Sequence, residues 1–185
     1  MSHFTPQASK IMPTLLKAIL LCIVVVAGAY DLRCRKIPNW LSLSGLVLGL
    51  GTNILLSGWG GLGAAALGFG LAMLIYTPLY LIRGMGAGDV KLMAAVGAIV
   101  GPHDWLGIFL ATALAGGLIS LAAVVIKRRA GQTFLNLTTI FSELLQFRRP
   151  AKADARLDVR NPHALRMPHA LTIAAGCLVF LCLSR

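Results

Sequence analysis

Acidic residues are scarce in this chain: six Asp and Glu among 185 residues, with only 12% of positions formally charged. Soluble proteins carry about twice that charged fraction. Too few polar groups remain to coat a water-facing surface, and a soluble globular enzyme is excluded. Cysteine is sparse as well. Cys22, Cys34, Cys177 and Cys182 form no C-x-x-C pair, and three of them lie inside apolar runs, which argues against a zinc knuckle or a disulfide scaffold. No internal repeat stands out, and long polar stretches are missing except between Lys127 and Met167. What is abundant is hydrophobic surface, with 57% apolar residues and a mean hydropathy of +0.80. Disorder needs low hydrophobicity and is excluded too. The length fits a single domain over 1–185, and the composition predicts an all-α, polytopic membrane helix bundle.

Six apolar stretches run along the chain, at Leu15–Tyr30, Trp40–Leu56, Leu62–Ile82, Val90–Val100, Trp105–Ile126 and Ala170–Leu183. A membrane-crossing helix needs roughly 20 residues, so the third and fifth are comfortable and the first, second and sixth borrow flanking residues. The fourth is too short to cross alone. Either it extends back through Gly84-Met85-Gly86-Ala87-Gly88, or that segment dips into the membrane as irregular backbone.

Positive charge then orients the bundle. Lys and Arg number 17, a net charge of +11, which in a membrane chain reads as loops facing anionic lipid rather than as nucleic-acid binding. With the loop after the first helix on the cytoplasmic side, that side holds 14 of the bases, leaving Lys10, Lys17 and Arg185 outside. This asymmetry predicts about six spans with both termini outside. A cleaved signal peptide over the first stretch is the alternative, but it would place Arg33, Arg35 and Lys36 outside. Within 127–167, Phe134, Leu137, Phe141, Leu144 and Leu145 fall at helical spacing between basic clusters. This predicts an interfacial amphipathic helix in a long cytoplasmic loop.

Acids within or against apolar spans are costly and mark candidate functional sites. Glu143, Asp154 and Asp158 fall in the polar loop, and Asp104 is placed in an outer turn as a helix cap. That leaves Asp31, closing the first stretch, and Asp89, opening the fourth after Gly84, Gly86 and Gly88. Each alone reads as a cap or a salt-bridge partner. Brought together, two carboxylates cannot both ionise cheaply, and such a pair supplies a general base for water and a general acid for a leaving group. The glycines either form a tight turn between spans or open a water-reaching dip beside Asp89.

These residues resemble a known family, the type IV prepilin peptidases, which are GxGD-type intramembrane aspartic proteases. Gly86-Ala87-Gly88-Asp89-Val90-Lys91-Leu92 is similar to the family's GxGDxKL motif, and Asp31 followed by Ile37-Pro38-Asn39 to its upstream Asp and I-P-N turn. Met167-Pro168 is similar to a third, weaker element, after which the family more often has an aromatic residue and Gly where this chain has His169-Ala170. Presenilin-like proteases share GxGD but not the I-P-N turn. The resemblance implies Asp31 and Asp89 as the catalytic pair, with Gly86, Gly88, Lys91, Pro38 and Asn39 in support. It implies a pilin-like precursor as substrate, cut on the cytoplasmic face of the inner membrane between a short basic leader and an apolar helix. Lys91 either tunes Asp89 or snorkels toward headgroups. The compact form resembles the peptidases of tight-adherence (Flp) pili, and an archaeal preflagellin peptidase is also short. Larger bacterial members carry a cysteine-rich zinc domain associated with N-methylation; lacking cysteine pairs, this chain is expected to be a peptidase without methyltransferase activity. No metal or cofactor is expected, since no His or Cys cluster offers ligands. The competing expectation is a transporter or pilus-assembly subunit whose Asp pair binds a proton or cation.

Overall fold

The computed structural model describes residues 13–34, 36–82, 85–126 and 169–183. The expected interfacial helix of 127–167, Gly84, and Met167-Pro168 lie outside them. All regular structure among the described residues is helical: α1 (Thr14–Cys34), α2 (Asn39–Leu81), α3 (Ala87–Ile126) and α4 (His169–Leu183). The first three are long and apolar enough to cross a bilayer.

α2 has 43 residues, and would stretch about 65 Å if straight, twice the hydrocarbon thickness. It does not run straight. Gly58 breaks it with φ 58° and ψ −139°, a backbone region open to glycine at no steric cost. Asn53 and Gly61 would be ~12 Å apart on a straight helix, yet a Cβ on Gly61 would run into the Asn53 carbonyl. α3 turns in the same way at Gly101, φ 77° and ψ 175°, with Pro102 next. Beyond that turn the Trp105 indole donates to the Met93 carbonyl at 3.0 Å, so the second half of α3 folds back along the first. Both breaks fall between apolar stretches that the sequence separates, so among the described residues α2 and α3 each comprise two helical segments.

The segment 87–100 occupies the centre. Leu92, Met93, Val96, Ala98 and Ile99 have no exposed surface, and Val90, Ala94 and Ala95 little more. A helix apolar all round belongs inside a bundle, and this one, about 21 Å long, is surrounded by protein. Its neighbours turn their own apolar faces outward: Leu55 is 88% exposed, and Leu74 and Leu114 are also open. That inversion suits hydrocarbon solvent.

Close contact between α2 and α3 rests on small residues. A Cβ at Gly68 would collide with the Gly97 carbonyl, and one at Gly97 with that of Gly68, so the two backbones touch as small residues permit in membrane bundles. The Asn53 amide adds polar glue, donating to Gly49 O, Ala98 O and Ile99 O at 2.9, 3.1 and 3.0 Å. Around the turn at Gly101, Trp105 stacks on Phe109 at 5.4 Å and both meet Tyr76 edge-on.

Candidate active site

Asp31 lies in the last turn of α1, which runs four residues beyond the apolar stretch ending at Tyr30. Hydropathy falls there, but backbone hydrogen bonding continues through Leu32-Arg33-Cys34. Asp31 is 8% exposed, and a carboxylate so placed requires a partner. It has one: Oδ2 accepts the backbone N–H of Ala170, in the first turn of α4, at 3.0 Å. The link spans 139 positions of sequence.

Asp89 stands in the first turn of α3, which begins at Ala87. The helix therefore extends back from the apolar stretch by three residues. The reason is local. Gly86 precedes the helix, and its backbone hydrogen-bonds the Asp89 carboxylate, as an acid at the third helical position does in a capping box. A Cβ on Gly86 would sit 3.1 Å from Asp89 Oδ2. Asp89 also lies within electrostatic reach of Asp31 and of His169, the residue that opens α4. The two acids singled out in the sequence are thus brought together.

The turn between α1 and α2 closes over this end. Leu41 N–H bonds Pro38 O at 3.1 Å, with Pro38 extended at φ −66° and ψ 138°. A Cβ on Gly88 would lie 3.2 Å from Ile37 Cβ, so Gly88 lets the start of α3 slide beneath the turn. Lys91 Nζ donates to Asn39 Oδ1 at 3.0 Å, which joins the two sequence motifs directly. Lys91 is exposed and acts on the turn that flanks Asp31. Tyr30 and Trp40 pack edge-to-face at 6.1 Å across the same corner.

Two neighbours of the pair were not singled out from sequence as site residues. Tyr76, buried on α2, is within electrostatic reach of Asp89. His169 is the only residue of α4 able to carry positive charge, and that was the available signal. Asp104 stands apart, past the Gly101 turn, with Oδ1 at 3.0 Å from His103 Nδ1. Where the sequence suggested a helix cap, its observed partner is this imidazole. Both border a cleft of about 300 Å³ at the opposite end of α3's first half, beside Asn53 and Ser57.

Two buried or half-buried carboxylates, on α1 and α3, are thus each held by a backbone N–H at this end of the bundle. Comparison with known proteins bears on what such a site does. The sequence pattern of the type IV leader peptidase family matches residues 18–121, more than half of the chain and including both aspartates. The chain belongs to that family. It is 31% identical over 114 residues to a prepilin leader peptidase/N-methyltransferase of Escherichia coli (strain K12), covering 58% of this chain and 51% of that protein. A protein of the same description from Xanthomonas campestris pv. campestris is 32% identical over 120 residues, covering 60% of this chain and 41% of that one. The chain thus spans about half or less of the length of these curated relatives. No solved structure matches it.

Proposed function

We propose that this protein is an intramembrane aspartic endopeptidase that removes the short basic leader from a type IV pilin-like precursor. The observation that carries this reading is the convergence of Asp31 and Asp89 at one end of an apolar helix bundle. Family membership supports it. In the proposed reaction, the carboxylate of the pair takes a proton from water as that water attacks the scissile carbonyl. The carboxylic acid of the pair protonates the departing amine. Ala170 N–H and Gly86 N–H orient the two groups, while Gly88, Lys91, Pro38 and Asn39 hold the α1–α2 turn against the start of α3.

The proposed topology is a single domain of six spans, in which the breaks at Gly58 and Gly101 turn α2 and α3 each into two crossings. Both termini lie outside. Arg33, Lys36 and Lys91, all exposed, stand at the end that holds the aspartates. Under the positive-inside bias that end faces the cytoplasm, and the basic leader of a substrate would reach the pair from there. The protein would work in the inner membrane, needs no metal in this reading, and trims without N-methylating.

Co-expression with a pilin precursor tests the reading. Wild type is expected to cleave it. Asp31→Asn and Asp89→Asn, at equal membrane levels, are each expected to lose on the order of 10²–10⁴ in rate. Asp104→Asn, away from the pair, is expected to cleave as wild type does. Full cleavage by either Asn variant of the pair removes that residue from the mechanism. A chain that never cleaves but moves protons or cations dependent on both aspartates would favour the transporter reading.

A further inference from the structure

The end of the bundle that holds the aspartates presents a difficulty for a basic leader. Arg33, Lys36 and Lys91 are exposed there. The described carboxylates of that end are both engaged: Asp31, 8% exposed, accepts Ala170 N–H, and Asp89 is bonded to the Gly86 backbone. A cationic peptide therefore approaches a surface of its own sign, and a group other than a surface carboxylate has to receive its charge. The corner where α1 hands over to α2 has that chemistry. Tyr30 and Trp40 meet there edge-to-face, with ring centroids 6.1 Å apart and planes at 83°, a contact that occupies one face of one ring. Trp40 is 57% exposed and Tyr30 39%, whereas Tyr76 and Trp105 of the other aromatic cluster are buried. An indole face carries the negative part of a quadrupole and attracts an ammonium or guanidinium without any carboxylate. The corner also stands beside the pair. Tyr30 precedes Asp31 on α1, and Asn39, next to Trp40, accepts the Nζ of Lys91, two positions past Asp89.

We propose that the Tyr30–Trp40 corner is the docking surface for the cation of the leader: a Lys or Arg side chain of the precursor lies on the Trp40 ring face, Tyr30 fixes that ring, and the peptide runs on from there to the carboxylate pair. This rests on the peptidase reading above and adds to it the group that recognises the leader. Trp40 meets the substrate away from the scissile bond, so it acts on binding rather than on the chemical step. Exposed aromatic rings at a membrane boundary otherwise serve as interfacial anchors. An anchor is indifferent to the charge of the leader, and a docking face is not.

The test is cleavage by the full chain in phosphatidylcholine vesicles, whose surface carries no net charge. Two purified pilin precursors are compared, one with its basic leader and one with every leader Lys and Arg replaced by Gln. Wild type is expected to cleave the basic leader with kcat/KM about three- to tenfold higher, the difference carried by KM. Trp40→Leu and Trp40→Gln are expected to lose that preference, leaving the two precursors within about twofold of each other. Trp40→Phe is expected to keep part of it, because a benzene face attracts a cation more weakly than an indole does. Retention of the full preference by Trp40→Leu, or an equal loss on both precursors, overturns the proposal; the second result would make Trp40 an anchor. A wild type that ignores leader charge while Asp89→Asn is dead also overturns it, and the peptidase reading then stands. Failure of both Trp40→Leu and Trp40→Gln to reach the membrane makes the ring structural, with the same consequence. An active Asp89→Asn, or an inactive wild type, overturns the peptidase reading and this one with it.

Discussion

Lys91 and Asn39 form an exposed contact between two motifs 52 positions apart. An exposed hydrogen bond to a charged donor is worth little on its own, and its role is to keep register between the α1–α2 turn and the start of α3. Lys91→Met and Asn39→Ala are therefore each expected to cost about 1 kcal/mol or less. The double variant should cost no more than either single one, read as the non-additive term of a double-mutant cycle in detergent unfolding. Gly88 is less forgiving. Alanine there would place its Cβ 3.2 Å from Ile37 Cβ, a distance the turn meets by shifting a few tenths of an ångström. Valine has no such recourse. The expectation is reduced cleavage for Gly88→Ala and loss for Gly88→Val with the protein still in the membrane. At this scale the sequence was informative about the acids, because a carboxylate beside an apolar run is physically conspicuous. It was silent about Tyr76, which reads as ordinary core, and about the Ala170 N–H, since a backbone donor leaves no mark in the side-chain record.

At the level of helices, hydropathy located the apolar stretches but not the way they join. A run of leucines and alanines states that a segment is buried or lipid-facing, and nothing in it distinguishes a central helix from a peripheral one. The short fourth stretch was the exception. It is too short to cross a bilayer unaided, and it turns out to be buried along most of its length. The α2–α3 seam is decided by Gly68 and Gly97, where backbone meets backbone with no side chain to yield. Gly68→Ala or Gly97→Ala is expected to lower the midpoint of thermal aggregation in detergent by several degrees, as roughly 1–3 kcal/mol of overpacking would. Asn53→Leu removes an amide that serves two carbonyls across the same seam and one on its own helix. Its cost is expected near ~1–2 kcal/mol, again without change in the pH dependence of cleavage.

Taken whole, the molecule has a polar end and an apolar girdle. Asp31, Asp89, Arg33, Lys36 and Lys91 gather at one end, while Leu55, Leu74 and Leu114 cover the flanks. Charge asymmetry carries the orientation of the proposed topology, so it can be checked without any assay of activity. A protease-cleavable tag placed within 127–167 is expected to be cut only in inverted membrane vesicles, and a tag at either terminus only from the outside. Cutting of the loop tag from outside would reverse the orientation and put the aspartates out of reach of a cytoplasmic leader.

The bond from Ala170 to Asp31 also carries a meaning in time. Both aspartates and the helices α1, α2 and α3 leave the ribosome before His169 does, yet Asp31 accepts its backbone hydrogen bond from α4, made after all three. A nascent or prematurely terminated chain would thus hold both acids in the membrane without a finished site. Under the proposed peptidase reading, hydrolytic competence would wait until synthesis has passed α4, and proteins threaded into the same membrane beside a half-made copy would be spared.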